Sequence, residues 1–168
     1  RAGLRPDIIA VNAGVAACEK CLRWEWALQV FGDISKHRLK PTAATFSALI
    51  MACGRCGEWQ CALHLLEAAK FHRALNRATI NAGISACAGA GQWLLSIGLL
   101  GQAHAAAAAS ALPEQDLADC YDTAIFACRR ASAWPWCLFL LNDMKALRLR
   151  PTLRGHGCAM RAAGFAGK

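Results

Sequence analysis

A small polar side chain recurs at one position of a repeating pattern, and such a side chain can donate or accept the hydrogen bonds that select a ligand. In each copy a Cys follows six residues later, and a Trp follows six residues after the Cys. The polar residues are Asn12, Ser47, Asn81 and Asp122, the cysteines are Cys18, Cys53, Cys87 and Cys128, and the tryptophans are Trp24, Trp59, Trp93 and Trp134. The cysteine spacings of 35, 34 and 41 residues are typical of an array of helical repeats.

The cysteines also form two Cys-x-x-Cys pairs, Cys18/Cys21 and Cys53/Cys56, and this spacing is one that zinc sites use. The two pairs are separated by the repeat period, so the repeat itself accounts for them. Neighbouring helices lie ~10 Å apart, which is far for ligands of one metal ion. We therefore expect no metal and no cofactor. The shared phase of the repeat cysteines instead predicts small buried side chains in a reducing compartment.

The composition favours a binding protein with an anionic partner. The chain has a net charge of +8, from 19 Lys and Arg against 11 Asp and Glu, which favours nucleic acid first and a membrane surface second. No His-x-Glu, HExxH or Gly-rich phosphate loop occurs, so we expect no enzyme. Residues 93–112 are long enough to span a bilayer, but they are only weakly apolar and stay in frame with the repeat. We therefore expect no membrane partner.

The apolar periodicity predicts two helices in each unit and no strands. First helices are expected at 8–19, 44–53 and 78–87 and from 118 onward, and second helices at 24–36 and 58–72, from 92 into 105–109, and from 134. Pro135 suits the first turn of the last of these helices. The expected units are 8–42, 43–76, 77–117, 118–152 and a partial 153–168. The sequence thus predicts an all-α, right-handed α-solenoid of repeats of about 35 residues, a single array over 1–168 that is a fragment of a longer one.

Short motifs in these units resemble the pentatricopeptide repeat family over nearly the whole chain. The first unit carries Pro6-Asp7, Asn12-Ala13, Cys18 and Ala27-Leu28, and the second carries Pro41-Thr42, Ser47-Ala48, Cys53 and Ala62-Leu63. Tetratricopeptide repeats have a similar length, but their Trp comes early in the first helix, whereas here Trp opens the second. The resemblance implies binding of single-stranded RNA, with one base per repeat and no DNA partner. It also implies an organellar location, in a mitochondrion or chloroplast, and a role in RNA processing, stability, editing or translation.

The resemblance further implies which side chains contact the RNA. Bases would be read by the pairs Asn12 with Thr42, Ser47 with Asn76, Asn81 with Leu117, and Asp122 with Thr152. Bases would stack on Ile9, Ala44 and Ala78, with the acidic Asp119 at the fourth equivalent position. Phosphates would contact Lys20, Arg55 and Arg130 near the ends of the first helices. The pair Ser47/Asn76 would favour adenine, and Asn12 and Asn81 would favour pyrimidines.

An alternative interpretation is a protein-binding scaffold of the tetratricopeptide kind, in which the same concave groove holds a peptide. Such a scaffold would not need a polar residue at the same position of every repeat. Other proteins therefore stay among the expected partners. The four repeat tryptophans are expected to pack between helices under either interpretation.

Overall fold

The computed structural model describes residues 8–36, 40–110, 114–150 and 157, so Pro6, Asp7, Thr152 and all of the partial fifth unit except residue 157 lie outside it. Within these ranges the chain forms eight α-helices and no strand. The first helices of successive units are α1 (Ile8–Lys20), α3 (Ala43–Arg55), α5 (Arg77–Gly89) and α7 (Glu114–Arg130). The second helices are α2 (Trp24–Lys36), α4 (Trp59–Phe71), α6 (Trp93–Ser110) and α8 (Trp134–Ala146).

The helix bounds confirm the prediction of two helices per unit, with one difference. Every second helix begins at the repeat tryptophan, and Pro135 lies in the first turn of α8, as expected. Helix α6 has 18 residues against 13 in each of the other second helices, which accounts for most of the extra length of the third unit. The difference is α7, which begins at Glu114 rather than near Ala118. Residues 114–118 contain neither Gly nor Pro, so nothing in them prevents an earlier helical turn.

The turn between the two helices of each unit is built around the carbonyl group of the repeat cysteine. This carbonyl accepts a hydrogen bond from the backbone N–H five residues later, which is the long bond of a Schellman motif. The bonds are Arg23 to Cys18 (3.0 Å), Glu58 to Cys53 (3.0 Å), Gln92 to Cys87 (2.9 Å) and Ala133 to Cys128 (2.9 Å). The residue before each donor has a positive φ, at Leu22, Gly57, Gly91 and Ser132. Only two of the four turns use the glycine that this backbone conformation favours.

The chain divides into two compact units, Arg1–Ala86 and Cys87–Lys168. In the compact unit Arg1–Ala86, α1 packs on α2 and α3, and α3 packs on α4. Phe46 is fully buried there, with its ring 5.5 Å from that of Phe31 and 5.7 Å from that of His72. Gly54 lies directly against Ala86, since a Cβ built on Gly54 would come within 2.6 Å of the Ala86 Cβ. Helices α3 and α5 therefore lie so close together at Gly54 that this residue has no room for a methyl group.

In the compact unit Cys87–Lys168, α7 packs on α6 and α8, and a buried tyrosine joins the three helices. Tyr121 on α7 donates its hydroxyl hydrogen to Asp143 on α8, and the hydroxyl oxygen accepts from His104 Nε2 on α6. Burial raises the pKa of the Tyr121 phenol above its ordinary value, and the bond to Asp143 raises it further. The proton therefore stays on the hydroxyl group and maintains both hydrogen bonds.

The described helices include none with the length and apolar character that a membrane span requires. This applies to α6, the helix that contains the weakly apolar segment noted in the sequence.

We expect Gly54→Ala to lower the free energy of unfolding by about 1–3 kcal/mol, because the added methyl group overlaps Ala86. Gly98→Ala is the matched control, since a Cβ at Gly98 in α6 meets no atom within 4 Å. The control should gain up to ~1 kcal/mol from the better helix propensity of alanine. Urea unfolding followed by far-ultraviolet circular dichroism measures both changes. Equal stabilisation by the two substitutions would contradict the close packing at Gly54.

Candidate functional site

The first helices carry the predicted RNA contacts on one side of each helix. The spacing of three, four and four residues between these positions keeps them on one helical face. The predicted contacts on this face are Ile9, Asn12 and Lys20 on α1, Ala44, Ser47 and Arg55 on α3, Ala78 and Asn81 on α5, and Asp122 and Arg130 on α7. The same face also holds residues that were not predicted as contacts, which are Ala16 on α1, Met51 on α3, Ser85 and Gly89 on α5, and Asp119 and Phe126 on α7. We call this face the contact stripe of each helix. Its members are half-buried or exposed, apart from Asp122.

In the first unit the structure connects the predicted reading pair, Asn12 and Thr42, through Thr45. The hydroxyl of Thr45 donates to Asn12 Oδ1 at 2.6 Å, and the same hydroxyl oxygen accepts from the Thr42 N–H at 3.1 Å. The Oγ1 atoms of Thr42 and Thr45 lie 3.0 Å apart. Thr45 is fully buried, so its hydrogen bond fixes the amide oxygen of Asn12 inward. The amide nitrogen of Asn12 is then the group left to face a ligand as a donor.

Thr45 supports a predicted reading residue, and the sequence interpretation did not identify it. Thr42 caps the N-terminus of α3, and the two threonines form a reciprocal capping box. A hydroxyl residue three positions after another, just before a helical apolar pattern, is the local signal that could have identified the cap. The bond from Thr45 to Asn12 spans 33 residues and has no comparable local signal.

The second reading pair, Ser47 and Asn76, has a different arrangement. Asn76 caps α5, with its side-chain oxygen accepting from the Thr79 N–H at 3.0 Å, and the Thr79 hydroxyl donates to the Asn76 carbonyl at 2.7 Å. Ser47 donates to the Ala44 carbonyl of its own helix at 3.1 Å. Serine is too short to reach across as Asn12 does, so Thr79 serves the cap alone. The amide nitrogen of Asn76 takes no part in these cap bonds, and the residue is exposed.

The third and fourth reading pairs match the expectation less closely. Asn81 is half-buried on α5, as the stripe requires. Leu117 is half-buried within α7 rather than at the cap before it, because α7 begins at Glu114. Asp122 is only 7% exposed, so its carboxylate offers little surface to a base. Its predicted partner Thr152 lies outside the described residues.

The predicted stacking positions are exposed in the first three units. Ile9 is 72% exposed, and Ala44 and Ala78 are also exposed. The equivalent Asp119 is half-buried. Ile9 is therefore the one large apolar platform among the stacking residues that the sequence predicted.

The predicted phosphate contacts have protein partners in two of three cases. Arg55 Nη1 lies 3.4 Å from Glu19 Oε1 of the preceding unit, and Arg130 Nη1 donates to the Ala88 carbonyl at 3.4 Å. Glu19 follows Cys18 and Ala88 follows Cys87, so each arginine contacts the same position of the preceding repeat. Both remain exposed, as does Lys20. An exposed ion pair contributes only ~0–1 kcal/mol, so a phosphate can compete with Glu19 for Arg55.

Three of the four repeat cysteines are buried, as predicted, whereas Cys18 is only half-buried. Cys53, Cys87 and Cys128 are fully buried, and the nine cysteines in the described ranges are free thiols. Burial raises the pKa of Cys53 to about 12 and that of Cys87 to about 11. A bond with Cys137, then burial, raise the pKa of Cys128 above its ordinary value. No group of three or more His, Cys, Asp or Glu in the described part of the chain could hold a metal ion.

We expect alkaline pH to destabilise the fold through these thiols. In the unfolded chain they ionise near their ordinary pKa of 9.0, whereas folded Cys53 keeps its proton up to about pH 12. Stability is therefore fully present below pH 9 and falls as the pH rises toward 12, by up to ~1.4 kcal/mol per pH unit for each thiol. Urea unfolding from pH 8 upward measures the slope. Cys53→Ala should give a shallower slope than the unsubstituted chain, and identical slopes would contradict the prediction.

Comparison with known proteins points to one family. The family model described as pentatricopeptide repeat domain matches residues 1–56, and the one described as PPR repeat matches residues 44–70. No curated protein matches the chain. A crystal structure of the pentatricopeptide repeat protein PPR10 in complex with an 18-nucleotide psaJ RNA element is similar, with a TM-score of 0.79 and 18% identity. A crystal structure of PPR10 from maize matches with a TM-score of 0.72 and 22% identity.

Each of these matches covers 98% of this chain and 23% of the solved chain. The chain thus spans about a quarter of the length of the structures that it resembles. The likeness confirms the all-α helical-repeat solenoid as the fold.

Proposed function

Because the chain is a pentatricopeptide repeat protein, we propose that it binds single-stranded RNA along the contact stripes of its first helices, with one base per repeat. The observation that carries the proposal is the half-buried amide or hydroxyl at the same place on α1, α3 and α5. Such a side chain is oriented by the protein on one side and open to a ligand on the other. The similar structure that holds an RNA element supports the same class of ligand.

The charge distribution supports a single-stranded nucleic acid rather than an apolar peptide. Exposed cations end the stripes of α1, α3 and α7, at Lys20, Arg55 and Arg130. The chain carries a net charge of +8. A backbone lying past the helix ends would bring its phosphates to these cations, while its bases would face the polar residues. The proposed role is binding, with no catalytic step.

By family we propose an organellar location and a part in RNA processing, stability, editing or translation. The described units would read about one base each, so they would contribute part of the recognition of a longer target. Purification of the chain with its bound RNA from an organelle extract would test the location and the target together.

We expect selection from a random single-stranded RNA pool to enrich an adenine that depends on Ser47. Ser47→Asn replaces a hydroxyl by an amide and should lower the adenine preference at that base roughly fivefold, the equivalent of one hydrogen bond. Sequencing of the bound pool measures the preference. Ser85→Asn, at an exposed serine on the stripe of α5, is the matched control and should leave it unchanged.

An adenine preference that survives Ser47→Asn would contradict the assignment of this residue. The salt dependence of the same binding reaction separates RNA binding from a peptide scaffold. RNA binding should weaken steeply between low and moderate salt because counterions are released, whereas a mainly apolar peptide contact should not. A pool without enrichment at any salt concentration would favour the scaffold.

We expect Thr45→Val to flatten the base preference of the first unit, because the valine cannot hold the Asn12 oxygen inward. Thr79→Val is the matched control. It removes an equivalent capping hydroxyl, which bonds within the cap at Asn76. Both variants should lose ~1 kcal/mol of stability through the cap, measured by urea unfolding. In the RNA selection only Thr45→Val should change the preference. Equal changes in both variants would mean that the threonine acts through stability alone.

A further inference from the structure

The contact stripe of α7 differs in chemistry from those of α1, α3 and α5. Its reading position holds Asp122, which is nearly buried, and its stacking position holds the half-buried Asp119. Neither carboxylate can donate a hydrogen bond to a base, and both repel phosphate. The fourth unit therefore lacks the amide or hydroxyl on which the proposed reading in the other units depends.

One helical turn after Asp122, the same stripe presents an aromatic ring. Phe126 is 38% exposed, whereas its neighbour Ile125 is fully buried. The equivalent stripe residues in the other units are Ala16, Met51 and Ser85, none of them aromatic. The ring is thus an individual feature of the fourth unit rather than part of the repeat pattern.

The ring is paired with a guanidinium group. Arg129 Cζ lies 5.0 Å from the centroid of the Phe126 ring, within the range of a cation–π contact. No described residue accepts a hydrogen bond from the buried Arg129 Nε. The contact with the ring therefore contributes to the orientation of the guanidinium group. The guanidinium group lies over the ring, and the 38% of Phe126 that stays exposed faces solvent at the middle of the stripe.

We propose that Phe126 and Arg129 form a nucleobase-stacking site, through which the fourth unit holds a base of single-stranded RNA without reading its hydrogen-bonding edge. This proposal rests on the proposed function. A neutral base can approach beside the two carboxylates, whereas a phosphate is repelled by them. Aromatic rings and guanidinium planes both stack on bases of any sequence. The unit therefore contributes affinity and spacing to recognition, and little base preference.

The test uses the whole chain and single-stranded RNA oligonucleotides that carry one 2-aminopurine, a fluorescent base quenched by stacking. One oligonucleotide position should be quenched by the unsubstituted chain and released by Phe126→Ala. Affinity should fall about fivefold to 100-fold, the effect of losing one stacked base. Phe126→Tyr keeps the ring and should keep both signals. Phe139→Ala is the control, since Phe139 is a 60% exposed aromatic residue on the second helix α8.

The outcomes separate this inference from the function on which it rests. If the unsubstituted chain binds no RNA, the proposed function and this site are both wrong. If the chain binds RNA and Phe126→Ala binds equally well, with quenching unchanged, the site is wrong and the function stands. Far-ultraviolet circular dichroism checks that Phe126→Ala is folded. If it is not, Phe126→Leu keeps the apolar packing, removes the ring and should show the same loss.

Discussion

Close packing of helices around very small side chains is the constraint on which the other features of these units depend. The repeat cysteines at Cys53, Cys87 and Cys128 are fully buried, and the contact between Gly54 and Ala86 leaves no room for a methyl group. A thiol is small and apolar enough to fill such a site and stays protonated there, since burial raises its pKa. The same cysteine supplies the carbonyl that closes the turn to the second helix. In three of the four repeats the same cysteine thus fills a buried site between helices and ends the first helix.

This packing gives the polar side chains their fixed positions. Because α1 lies against α3, Asn12 can reach Thr45, and a capping hydroxyl supports a side chain that is proposed to read a base. The packing of α1 against α3 also brings Arg55 to Glu19. In the same way, Arg130 on α7 reaches the Ala88 carbonyl on α5. Each of these contacts joins a first helix to the first helix before it. The surface proposed to meet RNA is therefore ordered by contacts between neighbouring repeats.

The sequence predicted the elements of this fold because they depend on local spacing. The distance from Cys to Trp locates the turn, and all four second helices begin at the tryptophan. What could not be predicted depends on the surroundings of a residue rather than on its neighbours along the chain. The burial of Asp122 and the contact of Arg129 with Phe126 are of this kind. The early start of α7 at Glu114 reflects a segment that is compatible with helix but carries no signal for where one begins.

The hydrogen bond from Thr45 to Asn12 bears on how arrays of this kind can be recombined. A helix pair is the obvious module to exchange between arrays, yet a junction placed between two pairs would separate the Asn12 amide, which is proposed to read a base, from the Thr45 hydroxyl that orients it. A transplanted unit would then meet a foreign residue at the supporting place. The portable segment in this chain runs from Asn12 through Thr45, so grafts should extend past the capping box of the following helix.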